Sequence, residues 1–166
     1  MVSAQARTQA EELAWTALAR VVDPEIPVLT ILEMKLISRV VVDAGRVTVG
    51  FTPTFAGCPA IAMMKEQIGE VLRAAGFAEA VVETDYATPW STDLLSAEAK
   101  EKLRAFGVAP PGPVRLNLAL SLAEPVPCPY CAGTATNLES AFGPTLCKQI
   151  FYCDSCRQSF ERFKPL

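Results

Sequence analysis

Two Cys-x-x-Cys pairs constrain the fold of this chain more than any other feature of its sequence. The first pair is Cys128 and Cys131, the second is Cys153 and Cys156, and 21 residues separate them. Two residues between paired cysteines allow one tight turn to direct both sulfurs at the same ion, and four thiolates suit tetrahedral zinc. We therefore predict a C-terminal zinc ribbon with these four cysteines, hereafter the cysteine quartet, as its metal ligands.

The chemistry of the quartet leaves alternatives open. Iron could occupy the same four thiolates in a rubredoxin-like site, or the pairs could form a disulfide or redox centre. Four protein ligands fill a tetrahedron, so we expect the ribbon to stabilise its own fold and not to catalyse. Cys147 lies between the pairs and could compete as a ligand. Its spacing fits less well, and we interpret it as a buried small hydrophobe.

Histidine is absent from the sequence. This excludes Ser-His-Asp and Cys-His nucleophile pairs, His-containing catalytic zinc sites and the two-histidine, one-carboxylate iron site. We predict no catalytic residues, and we expect that the protein is not itself a catalyst.

Composition and charge favour a globular cytoplasmic protein. The chain has 166 residues, of which 51% are hydrophobic and 20% are charged, so it can bury a sizeable core. The net charge is −3, and residues 123–166 carry four basic and four acidic groups, which argues against nucleic acid as a partner. The first residues show no signal-peptide pattern, and no apolar run approaches the ~18 residues of a membrane span. In the cytoplasm thiols stay reduced, which favours metal binding over disulfides.

Hydrophobic periodicity predicts an α+β fold. We expect a small mixed sheet of about four strands with helices on one face in a domain at residues 1–122, followed by a zinc-ribbon domain at residues 123–166. The predicted helices are 6–21, 59–75 and 96–106, and the predicted strands are 36–43, 46–52, 79–85 and 114–122. In the ribbon we predict two further strands, at 148–152 and 159–163.

Three features outside the quartet are candidates for function. Cys58 precedes Pro59, which is typical of a first helical position, so its thiol would lie at a helix N-terminus where a thiolate is stabilised. It could be a nucleophile, a soft-metal ligand or a buried structural cysteine. Asp23 and Glu25 are two carboxylates held by a proline, which makes them candidate functional groups. The alternative is that they only form a turn with solvated charges. Trp90 is a core anchor or an exposed recognition residue, and we favour the core.

Several motifs together resemble a known family. D-P-E-I-P-V at 23–28, T-P-T-F-A-G-C-P-A at 52–60 and T-P-W-S-T-D at 88–93 are similar to those of the SufT-like metal–sulfur cluster biosynthesis domain. The segments A-F-G-P-T-L-C-K at 141–148 and F-E-R-F-K-P-L at 160–166, with the two cysteine pairs, resemble the PaaD branch (also called PaaJ) of bacterial phenylacetate degradation. The resemblance covers nearly the whole chain.

The resemblance implies a function and a set of site residues. The family's functional thiol corresponds to Cys58, which would bind iron or an iron–sulfur cluster transiently, with contributions from Asp23, Glu25, Thr88 and Trp90. The implied role is an accessory factor of the phenylacetyl-CoA epoxidase system, which delivers iron or a cluster to the oxygenase or its reductase.

The implied partners are the epoxidase subunits, their iron–sulfur flavoprotein reductase, the iron–sulfur assembly machinery and a second copy of the chain, with no membrane involved. The main alternative is a structural or regulatory subunit without metal transfer. A free-standing enzyme using Cys58 would lack histidine, the commonest base, and a nucleic-acid ribbon protein is disfavoured by the charge.

Overall fold

The computed structural model describes residues 8–55, 57–114 and 125–166. The chain divides into two compact units. One contains the described residues within Met1–Pro53 and Pro59–Pro89, and the other contains those within Thr54–Cys58 and Trp90–Leu166. The predicted boundary at 122/123 and most of the predicted strand 114–122 lie outside the described residues. No helix in the described part of the chain combines the length and apolar character needed to cross a membrane.

The first unit is an α+β layer built on a mixed three-stranded sheet, ordered β3-β4-β5. Strand β3 (Ile37–Asp43) pairs antiparallel with β4 (Arg46–Phe51), and β4 pairs parallel with β5 (Glu79–Thr84). Parallel strands require a crossover, which helix α2 (Ile61–Ala74) supplies. Helix α1 (Gln9–Leu18) packs against α2 and β3, and α2 packs against β5.

The core of this unit follows the predicted alternation. Val47, Val49 and Phe51 share one face of β4 and are fully buried, as are Ile68 and Leu72 of α2. The β3–β4 hairpin turns at two residues that both have positive φ, which is the type I′ geometry that matches strand twist. The hairpin and the three helices are confirmed, with shorter ends.

A short hairpin that the sequence did not predict follows α1. Strand β1 (Val22–Asp23) pairs antiparallel with β2 (Ile26–Thr30). The two prolines between residues 23 and 28 predicted only a break, because proline cannot donate to a strand ladder. A two-residue turn between the strands accommodates Pro24, and Pro27 occupies an exposed position of the two-stranded sheet.

The second unit contains the ribbon. Helix α3 (Ala97–Ala105) begins at the predicted N-cap Ser96, whose hydroxyl accepts the Ala99 N–H, and the chain turns at Gly107 with φ +91°. Strand β6 (Val108–Ala109) then joins a four-stranded sheet ordered β6-β9-β8-β7. Its other strands are β7 (Thr136–Ser140), β8 (Lys148–Cys153) and β9 (Gln158–Phe163), of which β7 was not predicted.

Candidate functional site

The ribbon brings the cysteine quartet together at one end of its sheet. Cys128 and Cys131 lie in the turn that precedes β7, Cys153 ends β8, and Cys156 lies in the turn between β8 and β9. Cys128 and Cys153 are buried with Phe151 and Phe160, whose rings stack at 5.8 Å. The quartet is therefore attached directly to the small apolar core of the ribbon.

The two cysteine turns have the same backbone geometry. In the first, the Ala132 N–H donates to the Cys128 carbonyl at 2.9 Å, and in the second the Arg157 N–H donates to the Cys153 carbonyl at 2.8 Å. Ala132 and Arg157 both have φ +59°. The left-handed residue after each pair reverses the chain, so that both sulfurs of a pair point to the same side. The repeated Cys-x-x-Cys spacing thus produces two equivalent knuckles.

The distances between sulfurs fit a tetrahedral metal ion. All four Sγ atoms lie within 4.8 Å of one another, with 3.6 Å between Cys128 and Cys156 and 3.6 Å between Cys131 and Cys153. Zn–S bonds of about 2.3 Å place tetrahedral sulfurs about 3.8 Å apart, whereas a disulfide requires about 2.05 Å. No disulfide links the described cysteines, and the spacing of the four sulfurs fits a metal site and not a disulfide framework.

Neighbouring thiols of the quartet differ in acidity. The Cys156 N–H, which donates to the Cys153 sulfur, lowers the pKa of Cys153 to about 7, with burial opposing it. Burial, together with the adjacent thiols, raises the pKa of Cys156 to about 12. A thiolate disfavours ionisation of the neighbouring thiols, because like charges repel. A bound dication offsets this repulsion by stabilising all four thiolates.

The acidic turn lies in the β1–β2 hairpin of the first unit. One carboxylate oxygen of Asp23 accepts the N–H groups of Glu25 at 2.7 Å and Ile26 at 3.1 Å, and Asp23 is only 6% exposed. Asp23 therefore shapes the turn in the manner of an Asx motif. Glu25 is half-buried at the tip of the turn.

Cys58 is not at the first turn of α2, contrary to the expectation from Pro59. The helix begins at Ile61 with Ala60 as N-cap, and Pro59 and Ala60 form a turn before it. The Cys58 N–H instead donates to the Phe55 carbonyl at 3.1 Å, and its side chain is of intermediate exposure. The N-cap residue Ala60, two positions after Cys58, has no side chain that caps α2.

The residues of the T-P-W-S-T-D segment differ in accessibility. Thr88 is exposed, whereas Trp90 is 7% exposed and packs against Phe163 with ring centroids 6.0 Å apart. Trp90 is thus part of the core of its unit. Thr92 is inaccessible and hydrogen-bonds to Leu166, a contact across 74 residues that no local sequence signal predicts.

Cys147 lies outside the quartet. Its sulfur is 3.1 Å from the Thr145 hydroxyl, and its carbonyl accepts the Lys164 N–H at 2.9 Å. The side chain is half-buried and not fully buried as expected. Its position beside Lys164 marks a second cluster at the opposite end of the ribbon sheet from the quartet.

Two known families match separate parts of the chain. The iron–sulfur cluster assembly protein family matches residues 11–84, and the PaaD zinc beta ribbon domain family matches residues 116–164. A domain of unknown function from Bacillus anthracis is 27% identical, with a TM-score of 0.53, over 57% of this chain and 91% of its own. A conserved hypothetical protein from Thermotoga maritima is also 27% identical, with a TM-score of 0.50, over 58% and 94% of the two chains.

One curated relative covers both parts of the chain. It is an Escherichia coli (strain K12) protein provisionally named as a subunit of 1,2-phenylacetyl-CoA epoxidase, and it is 39% identical over 150 residues, or 90% of each chain. A cluster-assembly domain, a four-cysteine ribbon and this identity lead to one assignment: the chain belongs to the PaaD family of phenylacetyl-CoA epoxidase proteins, and its ribbon is a PaaD zinc beta ribbon.

Proposed function

We propose that this protein carries iron or an iron–sulfur cluster to the phenylacetyl-CoA epoxidase system, with Cys58 as the thiol that binds the cargo. The observation that carries the proposal is the position of Cys58. It is a partly exposed, reduced thiol outside the closed quartet, and it lies within the part of the chain that matches the iron–sulfur cluster assembly family. The quartet has no position left for a second ligand set.

Cys58 would bind its cargo as a thiolate, just before helix α2. Helix α2 starts two residues after Pro59 without a side-chain cap. A thiolate is the form of cysteine that binds iron, and it displaces a proton when the metal arrives.

Ligands beyond Cys58 come from elsewhere. Iron–sulfur clusters are ordinarily held by four protein ligands, so one thiolate requires a second copy of the chain or the client to complete the shell. Glu25 is the more accessible carboxylate candidate, because it is half-buried whereas Asp23 is buried. Thr88 is exposed enough to contribute, whereas the buried Trp90 serves packing. Incomplete ligation suits a carrier that must release its cargo to the oxygenase or its reductase.

Anaerobic reconstitution tests the proposal. Wild type, Cys58→Ser and Cys147→Ser are loaded with iron and sulfide, and iron, sulfide and zinc are then measured per chain. Cys147 is the matched control, because it has the same intermediate exposure and also lies outside the quartet. We expect zinc near one per chain in all three and loss of iron only in Cys58→Ser. Equal iron in wild type and Cys58→Ser refutes the proposal.

The second candidate is a structural or regulatory subunit of the oxygenase complex without metal transfer. The observation that favours it is the name of the E. coli relative, which describes a subunit of the epoxidase. Under this candidate, the protein co-purifies stoichiometrically with active oxygenase and is required during turnover. Its Cys58→Ala variant would then support normal metal content and activity of both epoxidase and reductase.

A further inference from the structure

Thr92 is held by the last residues of the ribbon. Its N–H donates to the Leu166 carbonyl at 2.9 Å, and its hydroxyl oxygen accepts the Leu166 N–H at 3.1 Å. The Thr92 side chain is 0% exposed. A buried hydroxyl and a buried backbone N–H both need hydrogen-bond partners, and Leu166 provides them. The T-P-W-S-T-D segment is thereby fixed to a residue that follows β9.

The neighbouring ring contact fixes the same segment. Trp90 packs against Phe163, the last residue of β9, which is fully buried. Such aromatic contacts stabilise a fold beyond the burial of apolar area alone. Two residues of the segment, Trp90 and Thr92, therefore contact two residues at the end of the chain, Phe163 and Leu166.

A loop of the ribbon holds residues 164 and 165, which connect Phe163 to Leu166. The Lys164 N–H donates to the Cys147 carbonyl at 2.9 Å, and Lys164 Nζ donates to the Leu146 carbonyl at 2.7 Å. The same Nζ lies 4.3 Å from the centroid of the Phe142 ring. Pro165 restricts the backbone between Lys164 and Leu166. These contacts attach the segment at residues 160–166 to the loop at residues 141–148.

Strand β9 links this structure to the metal site. It begins two residues after Cys156 and ends at Phe163, and its ladder with β8 runs from the Cys153–Gln158 pair to the Lys148–Phe163 pair. The knuckles and the Lys164 cluster thus lie at opposite ends of one six-residue ladder. A ribbon of this size has too little core to hold that ladder alone, so metal binding supplies its folding free energy.

We infer that the metal in the cysteine quartet positions the Trp90–Thr92 segment, and that β9 and residues 164–166 transmit the effect. Thr92 and Lys164 are positioning residues in this arrangement, because they hold residues 164–166 in place and are not members of the quartet. The inference concerns the ribbon and does not require that Cys58 binds iron. Linkage is reciprocal, so loss of the Thr92 contacts must weaken metal binding at the far end of the ladder.

The first test follows Trp90 while the metal is removed. Trp15→Phe leaves Trp90 as the single tryptophan of the chain. We expect chelation of the ribbon metal to shift Trp90 emission to the red and to abolish its near-UV circular dichroism, and re-addition of zinc to restore both. Complete metal release with unchanged Trp90 spectra overturns the inference.

The second test starts from the other end of the ladder. Thr92→Val keeps the shape of the buried side chain but removes the hydroxyl that accepts from Leu166, whereas Thr92→Ser keeps it. In the zinc-loaded protein with Trp15→Phe, we expect Thr92→Val to shift Trp90 emission to the red and to weaken zinc binding about 5–30-fold, which corresponds to about 1–2 kcal/mol. Thr92→Ser should remain near the parent in both measurements.

Two results of the second test would contradict the role inferred for the Thr92 hydroxyl. Equal zinc affinity in the parent and in a folded Thr92→Val protein excludes reciprocal coupling between Thr92 and the quartet. A Thr92→Ser protein that behaves like Thr92→Val shows that the methyl packing, and not the hydroxyl, holds the segment.

Phe142→Leu is an independent and milder perturbation, because it removes only the ring beside Lys164. It should weaken zinc binding by a smaller factor than Thr92→Val.

Discussion

Replacing Ala132 by glycine is expected to strengthen metal binding by the ribbon. Ala132 follows the first cysteine pair and has φ +59°, a left-handed conformation that costs a residue with a Cβ about 1–2 kcal/mol. Glycine adopts this conformation without that cost, although its greater freedom in the unfolded chain costs about 0.5–1 kcal/mol. The net gain is about 0.5–1 kcal/mol, and it should appear as a zinc Kd about 2–5-fold lower, because folding and metal binding are coupled.

Ala135→Gly is the matched control for this prediction. Ala135 is exposed like Ala132 and lies three residues along the same segment, but its φ is not positive. It should show only the entropic cost, with a Kd about 2–5-fold higher. The difference between the two variants isolates the strain at Ala132, since the effect of glycine on the unfolded chain cancels between them. Arg157→Gly repeats the experiment in the second knuckle, where φ is also +59°.

Competition with a chromophoric chelator measures these affinities. The protein must be reduced and anaerobic, and the pH must be constant, because protons compete with zinc for the four thiolates. If Ala132→Gly and Ala135→Gly weaken zinc binding by the same factor, the left-handed residue carries no strain and the reasoning is wrong.

Two further predictions concern charged groups. Lys148 Nζ lies 2.8 Å from Glu161, and the two side chains are 6% and 29% exposed. Lys148→Met should therefore lower the free energy of unfolding of the zinc-loaded protein, measured in denaturant, by about 1–3 kcal/mol, and adding Glu161→Leu should recover most of the loss. A double variant that is as unstable as the single variant would contradict this prediction. The Ser38 hydroxyl, which donates to Asp85 at 2.7 Å, lowers the pKa of that carboxyl below 3.8. The resulting stabilisation is present above the unfolded pKa and is lost as the pH falls through the folded pKa. Ser38→Ala should therefore raise the Asp85 pKa toward 3.8 in a carboxyl NMR titration. An unchanged Asp85 titration would refute the assignment.

The fold was predictable where its signals are local. The apolar face of α2 and the alternation of Val47, Val49 and Phe51 are periodic patterns, and Ser96 and Gly107 mark the two ends of α3. Such patterns depend on residues within one or two turns of each other. The predicted start of α2 is two residues too early, because proline favours a first helical position but also fits a turn.

Elements defined by distant partners were not predictable. The β1–β2 hairpin depends on the Asp23 carboxylate accepting backbone N–H groups, which allows a strand pair where two prolines suggested a break. Strand β7 carries an ordinary polar sequence and becomes a strand through its pairing with β8. In both cases the pairing partner, and not intrinsic propensity, selects the structure.

The metal chemistry of this protein is already encoded in its linear sequence. Two Cys-x-x-Cys pairs without a histidine allow an all-thiolate site, because ligand type and turn length are local properties of the chain. The convergence of the sulfurs within 4.8 Å and the meeting of Thr92 with Leu166 depend instead on the folded chain. Contacts across 74 residues result from how whole strands pair and pack, and no local pattern of residues encodes them. The separate roles proposed for the quartet, Cys58 and the Trp90–Thr92 segment therefore rest on both levels together.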